Sequence, residues 1–161
     1  MVFMRAVLLL STLLPCALMG TPPKYESYLV TARPIKKFAR TMIPDSGIDW
    51  KVERALRCSD TEPVNFAGKY TLLETGCGTG CSEYCLVDRT NGKVYPGSDF
   101  TEDFPDGYHG PTGFQYRRDS TLLVVFHAVG FDYPVHVSYY VWEGTNLKFL
   151  DTEDVPNPQK D

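Results

Sequence analysis

GKYTLLETGCGTGCSEYCLVDRTNGKVY, residues 68–95, holds three strand-like runs separated by two bends. Gly68–Thr75 offers Tyr70, Thr71, Leu72 and Leu73, residue types that suit a pleated, partly buried surface. Gly76–Gly80 supplies a glycine-rich bend, and Glu83–Arg89 returns with Tyr84, Leu86 and Val87. Asn91-Gly92 tolerates positive φ at both positions, the strongest two-residue hairpin signal. Lys93–Tyr95 opens a third strand, which Pro96-Gly97 is expected to end. Three strands joined by two tight turns form a meander, so this stretch predicts a mainly β protein.

The pattern changes on either side. Upstream, Ser27–Thr31 reads as a short first strand. Asp45, Ser46 and Asp49 then carry helix-start chemistry. Ile48, Val52, Ala55 and Leu56 follow at helical spacing, with Lys51, Glu53, Arg54 and Arg57 opposite, so the spacing predicts one short amphipathic helix over 48–58. Downstream, Ser98–Phe114 is rich in Gly, Pro and acids and reads as a loop. Leu122–Phe126 is apolar throughout, as in a central strand buried on both faces. Val135–Trp142 and Leu147–Leu150 read as the last strands, and 153–161 as a frayed tail. The expectation is one domain over 21–161, mainly β with a minor α component. Its core is a single antiparallel meander sheet of about six strands, with one short N-terminal helix on a face or edge.

Residues 1–20, MVFMRAVLLLSTLLPCALMG, have one charge, Arg5, before an apolar run from Ala6 to Leu14. That is the form of a secretory signal peptide with cleavage near Gly20. Pro15 precedes Cys16 where lipidation wants a small residue, which argues against a lipid anchor. The run is too short and too broken to read as a membrane span. Loss of Arg5 with the leader takes the formal charge from −4 to −5. An acidic chain whose longest basic runs are Lys36-Lys37 and Arg117-Arg118 is a poor nucleic-acid binder.

Export would place Cys58, Cys77, Cys81 and Cys85 in an oxidising compartment, where an even count suits two disulfides. On one strand, Cys81 and Cys85 would stand about 13 Å apart, beyond the reach of a bridge. Cys77 and Cys81 flank the bend where two strands converge. The favoured set is therefore Cys77–Cys81 and Cys58–Cys85, with Cys58–Cys77 and Cys58–Cys81 as the competing pairs. The spacing of three residues between successive cysteines matches neither a structural zinc site nor a thioredoxin-type centre. No metal and no cofactor is expected.

Asn65-Phe66-Ala67-Gly68-Lys69-Tyr70, then Gly76-Cys77-Gly78-Thr79-Gly80-Cys81, Asp88 and Gly92 form a pattern. It resembles a family of small exported, largely uncharacterised bacterial proteins with an N-F-A-G-[HK]-Y … G-C-G-T-G-C motif. The later pieces Asp119–Val125 and Tyr139–Gly144 also look like it, so the likeness spans roughly 48–150. It departs from the pattern in the extra Cys58 and Cys85 and in a longer segment Phe131–His136. The resemblance implies export and a β-rich fold. It implies no activity.

The remaining chemistry is sparse. His127 and His136, with Asp132 between them, could form an acid–base or metal cluster. The competing reading makes His127 a satisfied strand end and His136 a solvent residue. His109, beside Tyr108 and near Asp106, lies in a loop. Ser120 sits in no nucleophile elbow. Glu102, Asp103 and Asp106 lack calcium-loop spacing. The bend at Gly78 and Thr79 could hold an anion through its amides, but it lacks the Lys and helix of a phosphate loop. Tyr140 and Trp142 share one face of their strand and Tyr139 the other, so one face can present aromatics to a partner or glycan. No catalytic residues are assigned. The reading is a non-catalytic exported, periplasmic binding protein with an envelope protein partner. Its candidate contacts are Gly78, Thr79, Tyr108, His109, Tyr140 and Trp142. The alternatives are a histidine- and carboxylate-dependent hydrolase or metal binder, and a structural envelope component.

Overall fold

The structure, a computed structural model, describes residues 21–156 other than 33, 46, 47 and 49. The expected leader with Cys16 and Gly20, the end of the tail at 157–161 and part of the helix-start segment lie outside the described residues. So do the side chains of Lys51 and Cys58.

The chain is mainly β, with seven strands in two antiparallel sheets rather than one. β1 (Tyr70–Gly78), β2 (Cys81–Asp88) and β3 (Val94–Thr101) make a three-stranded sheet in that order. β4 (Gly113–Tyr116), β5 (Leu122–His127), β6 (Val135–Trp142) and β7 (Leu147–Val155) make a four-stranded one. Two features hid the split. Pro96-Gly97 does not end β3, because β3 is an edge strand, where proline is tolerated. The segment read as a loop contains the short strand β4, which opens the second sheet. Residues 102–112 cross between the sheets, with Glu102 bridged to Ala128.

Alternation along the strands gives each sheet an inner and an outer face. Tyr70, Leu72, Tyr84 and Leu86 of the first sheet meet Phe114, Leu123, Val125 and Trp142 of the second in the central core. The outer face of the first sheet, with Cys85, Val87 and Val94, is covered by Val52 and Leu56 of α1 (Trp50–Cys58). Each aliphatic side chain so buried contributes about 1.5–3 kcal/mol. The outer face of the second sheet, with Leu122, Val124, Val137 and Tyr139, is packed by Tyr25 and Tyr28. These two tyrosines belong to a single 3-10 turn, Tyr25–Tyr28, where a strand was expected. Only Leu29 pairs as strand, in a lone bridge to Ser120. β2 and β5 are thus covered on both sides, which explains their near-continuous apolar runs.

The β1–β2 bend is tighter than the sequence suggests. Gly78 already pairs with Cys81, leaving Thr79-Gly80 as the turn, and the Cys77–Cys81 disulfide closes its base with Cα atoms 5.2 Å apart. The expected Cys58–Cys85 bridge rests on Cys58, whose side chain lies outside the described residues. Cys85 faces α1 as expected, but its thiol is free and buried among aliphatic side chains, where it packs as a small hydrophobe. The expected tail is also shorter, since Glu153–Val155 pair with Val137–Val135 and extend β7.

Candidate functional site

The motif residues are consumed by the fold. Asn65 bonds Leu72 twice, its Oδ1 accepting from the Leu72 N–H at 2.7 Å and its Nδ2 donating to the Leu72 carbonyl at 3.0 Å. Lys69 pairs with Asp88 at 2.6 Å. Burial pushes the Asp88 carboxyl up, but its bonds to Lys69 and Thr90 outweigh that and hold it below the ordinary range. Arg89, next along, is 0% exposed. Its guanidinium donates to Thr71 Oγ1 at 2.7 Å, to Thr41 Oγ1 at 3.3 Å and to the Ser59 carbonyl. One buried cation therefore ties the N-terminal segment, the end of α1 and β1 together. Nothing in its local sequence distinguishes it from a solvent-facing strand end.

The candidate contacts fall in two places. Gly78 and Thr79 form the disulfide-closed hairpin tip, and Tyr108 and His109 lie in the crossover loop. These two segments meet the 128–134 loop at one end of the molecule. Gly80 holds a positive φ, and a side chain there would strike Asp103, so the glycine lets the crossover loop close over the hairpin. Glu102 donates its N–H to the Gly80 carbonyl at 2.7 Å. The Asp103 carbonyl accepts from Phe131 at 3.0 Å. Phe104 stacks on Tyr108 with ring centres 5.2 Å apart, and Tyr108 meets Tyr133 edge-on at 6.5 Å. At the tip, Val129 is 66% exposed and Phe131 61% exposed, with Phe131 held at φ +61°. That conformation is an outlier for a bulky residue. Asp106 and Asp132 are exposed in the same two loops. Sequence reasoning missed Phe131, because the strain is a property of the backbone alone.

Tyr140 and Trp142 lie elsewhere, in a cleft of about 390 Å³ between β3 and the β6–β7 turn. Tyr84 and Phe100 complete its aromatic lining. Burial pushes the Tyr84 hydroxyl up to about 12, partly offset by a backbone hydrogen bond from Ser98. Gly97 makes the cleft possible, since a side chain there would strike the Tyr84 carbonyl and ring.

The histidines divide. His109 stays exposed in the crossover loop. His127 and His136 are cross-strand partners with rings 5.3 Å apart. Asp154, not Asp132, is the acid bonded to His136, at 2.7 Å from Nδ1. His127 Nε2 is bonded to Ser138 Oγ at 2.9 Å. Burial, then the neighbouring His136, lowers the pKa of His127. Ser138 is 5% exposed, so its hydroxyl is closed to a substrate. Glu102 accepts from Ser82 at 2.7 Å. Ser120 donates to the carbonyls of Tyr25 and Tyr28. Among the described residues, no group of three or more His, Cys, Asp or Glu is arranged to hold a metal ion, and no helix is long and apolar enough to cross a membrane. Comparison with protein-family models, curated protein sequences and solved structures returns no match to this chain.

Proposed function

We propose that this chain is an exported, non-catalytic binding protein that docks onto a protein partner in the cell envelope through the loop end. The observation that carries this is Phe131, an aromatic side chain exposed at a tip and held at a backbone angle it disfavours. Such strain costs about 1–3 kcal/mol and persists only where the surroundings impose it. Large side chains at the centre of a contact supply most of its energy. The flanking Asp103, Asp106 and Asp132 favour a partner with a basic rim. The disulfide-closed hairpin, against which the crossover loop packs at Gly80, supports the same reading, since a constrained contact surface loses less entropy on binding.

The test compares immobilised wild type with Phe131→Ser in envelope extracts, followed by calorimetry with the purified captured protein. A partner held by the wild type, released by salt and lost with Phe131→Ser is expected. Equal capture by both baits would refute the reading.

A second reading is favoured by the Asp154–His136 and His127–Ser138 pairs, which are the parts of an acid–base enzyme. The burial of Ser138 weighs against it. Turnover of an ester or glycoside panel that is abolished in both His127→Gln and His136→Gln would favour the enzyme.

A further inference from the structure

We propose that the aromatic cleft binds an uncharged carbohydrate segment one or two pyranose rings in size. The site goes beyond the docking surface and shares no residue with it.

Charge is the first argument. The chain carries 36 charged side chains, 16 basic and 20 acidic, yet none lines the cleft. An ionic ligand would leave water with no counter-charge to receive it, which is strongly unfavourable.

The lining matches a sugar's two kinds of surface. Phe100 and Tyr140, both half-buried, present ring carbon for the C–H face of a pyranose, and the buried Tyr84 and Trp142 form the floor behind them. Phe100 meets Tyr140 edge-on at 5.9 Å, and Trp142 is wedged edge-on against Tyr70 and Tyr95 at 5.4 and 5.3 Å. Packing of this kind fixes the rings before any ligand arrives. On the rim, Ser98, Thr145 and Asn146 offer neutral donors and acceptors suited to sugar hydroxyls. Thr145 donates to Asn146 Oδ1 at 3.0 Å, which holds the two side chains together on the turn.

Trp142 adds an independent observation. Its Nε1–H is the one buried side-chain polar atom among the described residues without a hydrogen-bond partner, in a residue only 6% exposed. An orphan donor of this kind costs about 1–3 kcal/mol and calls for a physical reason. That atom is buried, so a ligand hydroxyl reaches it only through a small shift of the indole on binding. Size excludes the main rival. A cleft of about 390 Å³ is at the small end of ligand sites. A proline-rich peptide advances about 3.1 Å per residue and needs a longer groove.

The test uses Trp50→Phe as the parent protein. The chain has two tryptophans, so Trp142 then becomes the sole reporter. Its fluorescence is followed during titration with cellotriose, maltotriose and tri-N-acetylglucosamine, and separately with a proline-rich decapeptide. At least one neutral trisaccharide should give a saturable change that is weakened about tenfold or more by Tyr140→Ala and by Asn146→Ala. Circular dichroism confirms that each variant is folded, and the surface change Asn146→Ala keeps the test open if Tyr140→Ala is not. Phe131→Ser should leave the titration unchanged, so failure of the docking surface and failure of this site read separately. No response to any of the three sugars, a response to the peptide alone, or sugar binding undiminished in both variants would overturn the proposal.

Discussion

His127 and His136 face each other across β5 and β6, their rings 5.3 Å apart, with Asp154 bonded to the second and Ser138 to the first. Burial and the neighbouring ring hold the His127 pKa below the ordinary value of 6.5. The unfolded chain therefore takes up this proton before the native protein does. The stability that a neutral His127 confers is complete above about pH 6.5 and drains as pH falls through the lower native value. Urea midpoints measured from pH 7.5 to 5 should fall across that window, and His127→Gln should flatten the profile.

Arg89 is expected to be the most costly polar side chain to remove. Arg89→Ala leaves Thr71 Oγ1 without its donor inside the fold and takes one of the two donors from the Ser59 carbonyl, which keeps the Glu62 N–H. A loss of about 3 kcal/mol is expected, read as a lower urea midpoint at unchanged m-value. Arg89→Lys should recover only part of it, because one ammonium cannot reach three acceptors on separate elements as a planar fork does.

Cys85 should be chemically silent. Burial pushes its thiol up to about 12, and α1 covers it. Iodoacetamide on the native protein should leave Cys85 unmodified, and the same reagent in denaturant should label it fully. Peptide mapping by mass spectrometry distinguishes the two. Native labelling would show that α1 opens readily.

Phe131→Gly should separate stability from binding. Glycine adopts a positive φ without steric cost, so relief of the strain at +61° should leave the protein as stable or up to about 1 kcal/mol more stable. Partner capture should fall at the same time. Thermal melts and the capture assay, run on one preparation, give both readings.

Gly97→Val should destabilise by about 2–3 kcal/mol, because the added carbons meet the Tyr84 carbonyl and ring. The neighbouring change Ser98→Ala, which adds no clash, should be nearly neutral in a melt.

Much of the fold was written in local pattern. The first hairpin, the helix over Val52 and Leu56, and the apolar β5 follow from spacing and turn chemistry. The turn at Asn91-Gly92 is wider than a two-residue form, with Gly92 but not Asn91 at positive φ and the Asp88 N–H donating to the Lys93 carbonyl. The division into two sheets does not follow from local pattern. It depends on β3 running on through Pro96 and on four residues, Gly113–Tyr116, pairing with β5. Periodicity in so short a strand carries little signal. The sites show the same division. Tyr140 and Trp142 shared a face by simple alternation, and the cleft they line uses that face. Their companions Tyr84 and Phe100 come from the other sheet and were invisible until the layers met. Asp154 escaped notice because it lay in a stretch read as tail, yet β7 pairing sets it opposite His136.

The free margin of β7 has a consequence for crowded solutions. Its nine residues end the four-stranded sheet with an open row of backbone donors and acceptors, the geometry onto which a second copy could add. Asp151, Glu153 and Asp154 stand on that margin. An incoming identical strand would set carboxylates against carboxylates, each close pair repelling by about 1 kcal/mol in water. The acidity of this edge thus opposes strand addition by a second copy.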